Sequence, residues 1–106
     1  MVEPLDAEDA ELVVLARAAM ARADASSGAA VRDADGRTYA AASVNLSTLQ
    51  LTGLQAAVAA AASSGATGLV SVVLVDGSAD DPGIAAVRKL SPMASVIMTD
   101  RSGNPL

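Results

Sequence analysis

The chain has 106 residues, a net charge of −5, and neither cysteine nor histidine. This length predicts one domain, residues 1–106. The missing residue types exclude disulfides and every catalytic arrangement that needs a thiol or an imidazole. The seven basic residues form no cluster, which argues against direct nucleic-acid binding and against an anionic membrane surface.

Hydrophobic residues make up 52% of the chain, with one aromatic side chain, Tyr39. Most of them are alanine, valine and leucine, so the core must be packed from many small side chains. Acidic residues from Glu3 to Glu11 occupy the region where a secretory signal would be basic and then apolar. The longest apolar run, residues 56–62, is too short to span a bilayer. We therefore expect a cytoplasmic protein with no membrane partner.

The first predicted element is a helix that is capped by Asp6 and ends near Ala23. Its apolar residues recur at helical spacing and form one stripe. They are Leu12, Leu15, Ala16, Ala19 and Met20. Two short apolar runs follow, residues 29–31 and 37–44. The Asp35-Gly36 turn between them predicts a β-hairpin.

The second half of the chain alternates helices and strands. Residues 52–64 are dominated by alanine and precede Gly65, which is typical of a helix and its stop. Residues 69–75 predict a strand covered on both faces. Pro82 suits the first turn of a third helix, and residues 95–98 predict the last strand. The order is α-β-β-α-β-α-β, with the later strands parallel.

This order, together with several local matches, resembles the cytidine deaminase family. Residues 28–31 (Gly-Ala-Ala-Val), the Asp35-Gly36 turn and Tyr39 are similar to the opening hairpin of those enzymes. Residues 43–52 align without gaps to the family stretch Asn-Ile-Glu-Asn-Ala-Ser-Tyr-Gly-Leu-Thr. The resemblance covers nearly the whole chain and implies a three-layer α-β-α domain with a mixed sheet.

The resemblance also implies a zinc site whose ligands this chain lacks. Family members hold zinc with a Cys-Ala-Glu motif and a Pro-Cys-x-x-Cys motif, and the glutamate moves protons during attack on cytosine. Leu54 stands at the first cysteine and Ala56 at the glutamate, while Gly83 and Ala86 replace the other two cysteines. We therefore expect no zinc, no other cofactor and no deaminase activity.

Substrate contacts are reduced as well. The resemblance places Ser43 and Asn45 where the family has an asparagine and a glutamate on the ribose. Both could still bind a hydroxyl group. We favour the interpretation that they satisfy backbone groups at the end of the second strand. Tyr39 alone cannot supply the aromatic stacking that family members give the base.

Other chemistries find little support in the sequence. Lys89, the one lysine, lies on an amphipathic helix and is expected to be a surface charge. No phosphate-binding glycine motif occurs. Asp76, Asp80 and Asp81 could bind Mg²⁺ or Ca²⁺ loosely, but loop and cap roles explain them better.

Two functions remain from different classes. The first is a non-catalytic deaminase-like protein that acts as an oligomeric interaction or scaffold protein. The alternative is a nucleoside- or nucleotide-binding sensor that kept part of the ribose site. Relatives are often encoded beside ribosome-assembly factors, so the resemblance also implies an unidentified protein partner linked to ribosome assembly.

Two structural expectations accompany these functions. A homo-oligomer, dimer or tetramer, would use the small residues of the central helix, Ala56, Ala57, Ala59, Ala60 and Ala61. At the vacated metal position, Leu54 should fill the space beside Gly83 and Ala86 in a closed apolar contact.

Overall fold

The computed structural model describes residues 5–106, so Glu3 lies outside the described residues. Three helices form, α1 (Ala7–Ala23), α2 (Gly53–Ser63) and α3 (Gly83–Leu90). The strands are β1 (Gly28–Asp33), β2 (Thr38–Ala42), β3 (Val44–Asn45), β4 (Gln50–Leu51), β5 (Leu69–Val75) and β6 (Ser95–Thr99). No helix within residues 5–106 is both long and apolar enough to cross a membrane.

Four strands form one mixed sheet in the order β2-β1-β5-β6. β1 is antiparallel to both β2 and β5, while β5 and β6 are parallel. β2 and β5 therefore run in the same direction but are separated by β1. As predicted, β2, β5 and β6 all run in the same direction. Among residues 5–106, however, β5 and β6 are the only neighbouring strands that are parallel.

The chain adds a small ribbon that the sequence analysis did not predict. The expected second hairpin strand, residues 37–44, ends at Ala42. Val44 and Asn45 belong to β3, which pairs with β4 in a separate antiparallel ribbon. Leu46 and Leu49 close this ribbon through reciprocal backbone hydrogen bonds, and both side chains are about half exposed.

Helices cover both faces of the sheet. α1 packs on one face, where Leu12, Ala16 and Met20 meet Ala30 and Val73 of the strands. α2 and α3 cover the other face. Their contacts there join Leu54, Ala57, Val58, Ala61 and Val87 to Ala29, Val31, Val72 and Leu74. The alternation of side chains along β1 and β5 thus produces the three-layer α-β-α architecture.

The ends of α1 and α2 follow local capping rules. Asp6 caps α1 by accepting a hydrogen bond from the backbone N–H of Asp9, 2.8 Å away. Thr52 caps α2 and forms a capping box with Gln55, in which each side chain accepts from the other residue's backbone N–H. Both starts agree with the predicted helices to within one residue. In the α1 stripe, Leu15 is only partly buried and Val13 is buried beside Leu12.

The expectation that residues 69–75 are covered on both faces is wrong at Val70, which is 54% exposed. The register between β1 and β5 shifts there: Arg32 pairs with Ser71, and Asp33 with Leu69. Val70 is the extra residue of a β-bulge, so its side chain leaves the core alternation. The rest of β5 is buried.

The β1–β2 turn is held by a buried carboxylate. Asp33 accepts hydrogen bonds from the backbone N–H groups of Asp35 and Arg37 and from the Tyr39 hydroxyl, at 2.9–3.0 Å. Burial alone would raise the pKa of Asp33, but these hydrogen bonds outweigh burial and hold the pKa below its ordinary value. Burial first, and then Asp33, raises the pKa of Tyr39. The single aromatic residue is therefore part of the hairpin.

We expect the stability of the protein to fall at low pH partly because of Asp33. Its pKa is lowered by folding, so its ionised form stabilises the fold above the unfolded-state value, and this is lost as pH falls below about 4. Asp33→Asn should be less stable than the wild type at neutral pH and should lose less stability on acidification. Urea unfolding across the acid range measures both.

A residual acid dependence should persist in Asp33→Asn. Hydrogen bonds led by the Asn104 backbone N–H also lower the pKa of Asp100. The double variant with Asp100→Asn is therefore the control. An unchanged acid dependence in Asp33→Asn would contradict the role of Asp33.

Candidate functional site

An open groove of about 730 Å³ lies where the carboxyl ends of β2 and β5 meet the starts of α2 and α3. Most of the lining residues carry polar side chains. These are Ser26, Ser27, Ser43, Asn45, Gln50, Thr52, Gln55, Asp76, Ser78, Asp80 and Asp81. Its position at the carboxyl end of the strands is where ligands bind in open α/β sheets. Among residues 5–106, no arginine or lysine lines the groove, so the charged side chains that line it there are all carboxylates.

Asp81 joins the starts of α2 and α3 at the floor of this groove. Its Oδ1 atom accepts a hydrogen bond from the Thr52 hydroxyl at 2.9 Å and another from the Gly83 backbone N–H at 2.7 Å. The first contact reaches the N-cap of α2, and the second reaches the first residue of α3. One carboxylate oxygen therefore links the two helices.

The other two aspartates of this loop are held separately. Asp76 lies in the left-handed region with φ 54°, and its carboxylate is 3.7 Å from the guanidinium of Arg101. The backbone N–H of Asp80 donates to the Ser78 hydroxyl. Within residues 5–106, no three histidine, cysteine, aspartate or glutamate side chains form a group that could hold a metal ion. Asp76 thus pairs with Arg101, and Asp80 takes part in the loop through its backbone.

Leu54 lies against Gly83, in a closely packed contact. A Cβ atom added to Gly83 would lie 2.7 Å from Leu54 Cγ and 3.0 Å from the Gln55 backbone nitrogen. Real Cβ atoms do not approach other atoms this closely, so only glycine fits at this position unless Leu54 moves. Leu54 is 1% exposed. The apolar side chain of Leu54 thus occupies the space beside the first residue of α3.

The expectation for Ala86 is wrong, because this residue is exposed. The buried face of α3 runs through Gly83 and Val87, and Ala86 lies off that face. Ala56 is partly buried on α2. The structure therefore brings together two of the three predicted positions, Leu54 and Gly83, but leaves Ala86 at the surface.

Counting from the first helical residue gives a frame one residue earlier in α2. The helix begins at Gly53, just as α3 begins at Gly83. If the Cys-Ala-Glu spacing is counted from the first helical residue, the cysteine falls on Gly53 and the glutamate on Gln55. A Cβ at Gly53 would lie 3.0 Å from Gly28 Cα, so this position is crowded too. The Thr-x-x-Gln capping box was the sequence signal for Gln55 that the sequence analysis missed.

Ser43 and Asn45 both line the groove. The favoured interpretation, that their side chains satisfy backbone groups, is not what the structure shows. The Ser43 backbone N–H bonds to Ser27, and Asn45 pairs with Gln50 through the ribbon backbone. Backbone groups therefore satisfy one another here, and the Ser43 hydroxyl and Asn45 amide remain available to the groove. Tyr39 is not among the lining residues.

Neither frame offers a set of zinc donors. Leu54, Gly53, Gly83 and Ala86 carry no atom that coordinates a metal. Asp81 Oδ1 already accepts two hydrogen bonds. The tight contact between Leu54 and Gly83 also occupies the space that a side chain at Gly83 would need. The residues at the two helix starts therefore do not fit a zinc ion.

We expect Gly83→Cys to lower the free energy of unfolding by about 1–3 kcal/mol, because the new Cβ would overlap Leu54. The loss should shrink when Leu54→Ala is present, since that change removes the obstructing carbons. Ala86→Cys, at an exposed position of the same helix, should change stability by about 0.5 kcal/mol or less. Urea unfolding followed by circular dichroism gives all four values. Equal losses in the two backgrounds would show that the side chains do not meet.

The comparisons with known proteins agree with this geometry. The family described as "Cytidine deaminase-like" matches residues 5–103. The crystal structure of cytidine deaminase from Burkholderia pseudomallei superposes with a TM-score of 0.75 at 19% identity, covering 91% of this chain and 87% of that one. This likeness concerns the fold. Curated protein sequences give no match. The chain belongs to the cytidine deaminase-like family, and its mixed α/β fold is that of the family.

Proposed function

We propose that this chain is a non-catalytic member of the cytidine deaminase-like family. The observation that carries the proposal is the packing of Leu54 against Gly83, where the family holds its zinc ion between two helix starts. In place of the metal, the helices are joined by an apolar contact and by the Asp81 hydrogen bonds. The two helices would thus stay joined without a zinc ion, and the chain would lack the Lewis acid that the family uses to activate water.

The acid/base side of the reaction is missing in the same way. Ala56 has no titratable group, and neither has Gln55, which takes the glutamate position in the earlier frame. The Gln55 Oε1 atom is also committed to the Thr52 backbone N–H at 3.0 Å. A neutral amide cannot accept and return a proton as a carboxylate does. This chain would therefore have no residue to hold a water-activating metal and none to transfer the proton.

We expect the purified protein to contain no stoichiometric zinc and to leave cytidine and deoxycytidine unchanged. Elemental analysis and an absorbance assay of deamination measure the two quantities, with an active cytidine deaminase as the positive control. One zinc per chain, or turnover above the uncatalysed rate, would overturn the proposal.

The proposed role is that of an oligomeric interaction or scaffold protein. From Thr38 to Val75 the sequence has no charged residue. This stretch includes all of α2. Of the five alanines expected at the contact, Ala57 and Ala61 are buried against the sheet, whereas Ala59, Ala60 and the neighbouring Ala62 are exposed. Exposed helix faces normally carry charges, and the centres of protein interfaces are depleted of them. A neutral alanine face therefore supports self-association through α2.

We expect a mass of two or four chains of 10.4 kDa each by light scattering at micromolar concentration. Ala60→Glu should shift the mass towards one chain, because it places a charge within the neutral face. Ala21→Glu, at an exposed alanine of α1, is the matched control and should leave the mass unchanged. A wild-type protein with the mass of one chain would contradict self-association.

A second candidate function is supported by the groove itself. Ser43 and Asn45 line the groove, so a nucleoside-binding sensor that kept part of the ribose site is the alternative. Nuclear magnetic resonance titration with cytidine separates the two functions. Saturable shifts centred on Ser43 and Asn45, lost in Ser43→Ala, would favour the sensor.

The identity of a protein partner rests on the family resemblance alone. A link to ribosome assembly belongs to the proposal on that basis, and a cytoplasmic location is a separate part of the proposal. Recovery of the tagged protein from its native cells, followed by mass spectrometry, would test both. Ala60→Glu again provides a control, because it changes the proposed interaction face without touching the core.

A further inference from the structure

The free edge of β2 presents unpaired backbone groups. Hydrogen bonds from Asp33 N–H to the Arg37 carbonyl and from Ser43 N–H to the Ser27 carbonyl fix the phase of the β1–β2 ladder. In an antiparallel ladder, alternate residues point their N–H and C=O groups towards the same neighbour. Tyr39 and Ala41 therefore bond to β1. The backbone groups of Thr38, Ala40 and Ala42 point to the outer edge, where no strand lies among residues 5–106.

This edge lacks the features that usually protect an edge strand. The β2 sequence Thr-Tyr-Ala-Ala-Ala has no charge and no proline, and its pairing with β1 is regular, without a bulge. Such edges are templates for pairing with another strand. The opposite edge of the sheet differs, because the segment after β6 folds back on it. There the Leu106 N–H donates to the Met98 carbonyl.

We propose that β2 is a docking edge for β2 of a second copy of this chain. Antiparallel pairing about a two-fold axis at Ala40 would place Thr38 opposite Ala42 of the partner subunit. All three outward residues on each side would then be paired, and two four-stranded sheets would become one of eight strands. The edge is complementary to itself, as a two-fold interface requires.

The positions of the helices fit this arrangement. α2 packs over both β1 and β2, so it lies on the side of the sheet that carries the free edge. Pairing through β2 would therefore make the two α2 helices neighbours near the two-fold axis. Their exposed side chains, such as Ala59 and Ala60, are small enough to let the helices approach closely.

Charge favours this edge as the surface through which two copies meet. Each copy carries a net charge of −5, so two copies repel one another at most orientations. The stretch from Thr38 to Val75, which contains both β2 and α2, has no charged residue. Pairing through β2 brings these neutral regions together and keeps the acidic ones apart from the contact.

This inference rests on the self-association proposed above, and amide hydrogen exchange tests it on the wild-type protein. Exchange is followed residue by residue, well above and well below the concentration at which the mass falls to one chain. We expect the Thr38 and Ala40 amides to exchange at least about tenfold more slowly in the oligomer. The amides of Tyr39 and Ala41, which bond to β1, should be protected at both concentrations.

Ala40→Pro provides an independent test, because proline removes an N–H that β1 does not use. It should lower the mass to one chain while circular dichroism stays native-like. Val96→Pro, the same change on the opposite edge strand, is the control and should leave the oligomer intact. If either proline variant fails to fold, the exchange data on the wild type decide.

The outcomes separate this inference from the proposal beneath it. A single-chain mass at every concentration overturns both. An oligomer whose Thr38 and Ala40 amides exchange at the same rate as in the monomer overturns the β2 edge alone, and leaves association through the α2 face. Protection of the two amides that appears only in the oligomer supports the edge.

Discussion

The contact between the starts of α2 and α3 is the interaction on which the layer over the groove depends. Leu54 fills the space beside Gly83, and Asp81 binds both the Thr52 hydroxyl and the Gly83 N–H. In the proposed function, one buried side chain and one shared carboxylate oxygen take the place of an ion that cross-links the two helices. The replacement requires glycine at position 83, since any larger residue would overlap Leu54.

Small side chains make the rest of the fold possible. Helices can approach a sheet closely only where the side chains between them are short, and this chain uses glycine at the closest points. A Cβ on Gly28 would lie 2.6 Å from Met20 Cγ and 2.8 Å from the Ala16 carbonyl oxygen. On the other face of the sheet, Gly53 of α2 also lies close to Gly28, whose Cα would be 3.0 Å from a Cβ on Gly53. α1 and α2 are therefore both seated at the start of β1.

The same small, uncharged residues that allow the fold do not supply the groups that the family's reaction needs. The groove at the carboxyl edge is lined by polar groups, and the proposed function places alkyl or amide groups where the family has its metal ligands and its base. What the chain retains is a shape and an uncharged surface from Thr38 to Val75. We therefore propose that the chain acts by associating with other protein chains, and the alternative is that it binds a nucleoside in the groove.

Local signals in the sequence determined the helices, the hairpin and β5, because caps, turns and apolar periodicity act over a few residues. The lack of thiol and imidazole groups was equally plain. Only the tertiary structure decided the rest. The bulge at Val70 depends on its pairing with β1, and the exposure of Ala86 depends on the rotation of α3 against α2. The meeting of Leu54 with Gly83 and the open edge of β2 arise from packing between distant segments, which no local pattern encodes.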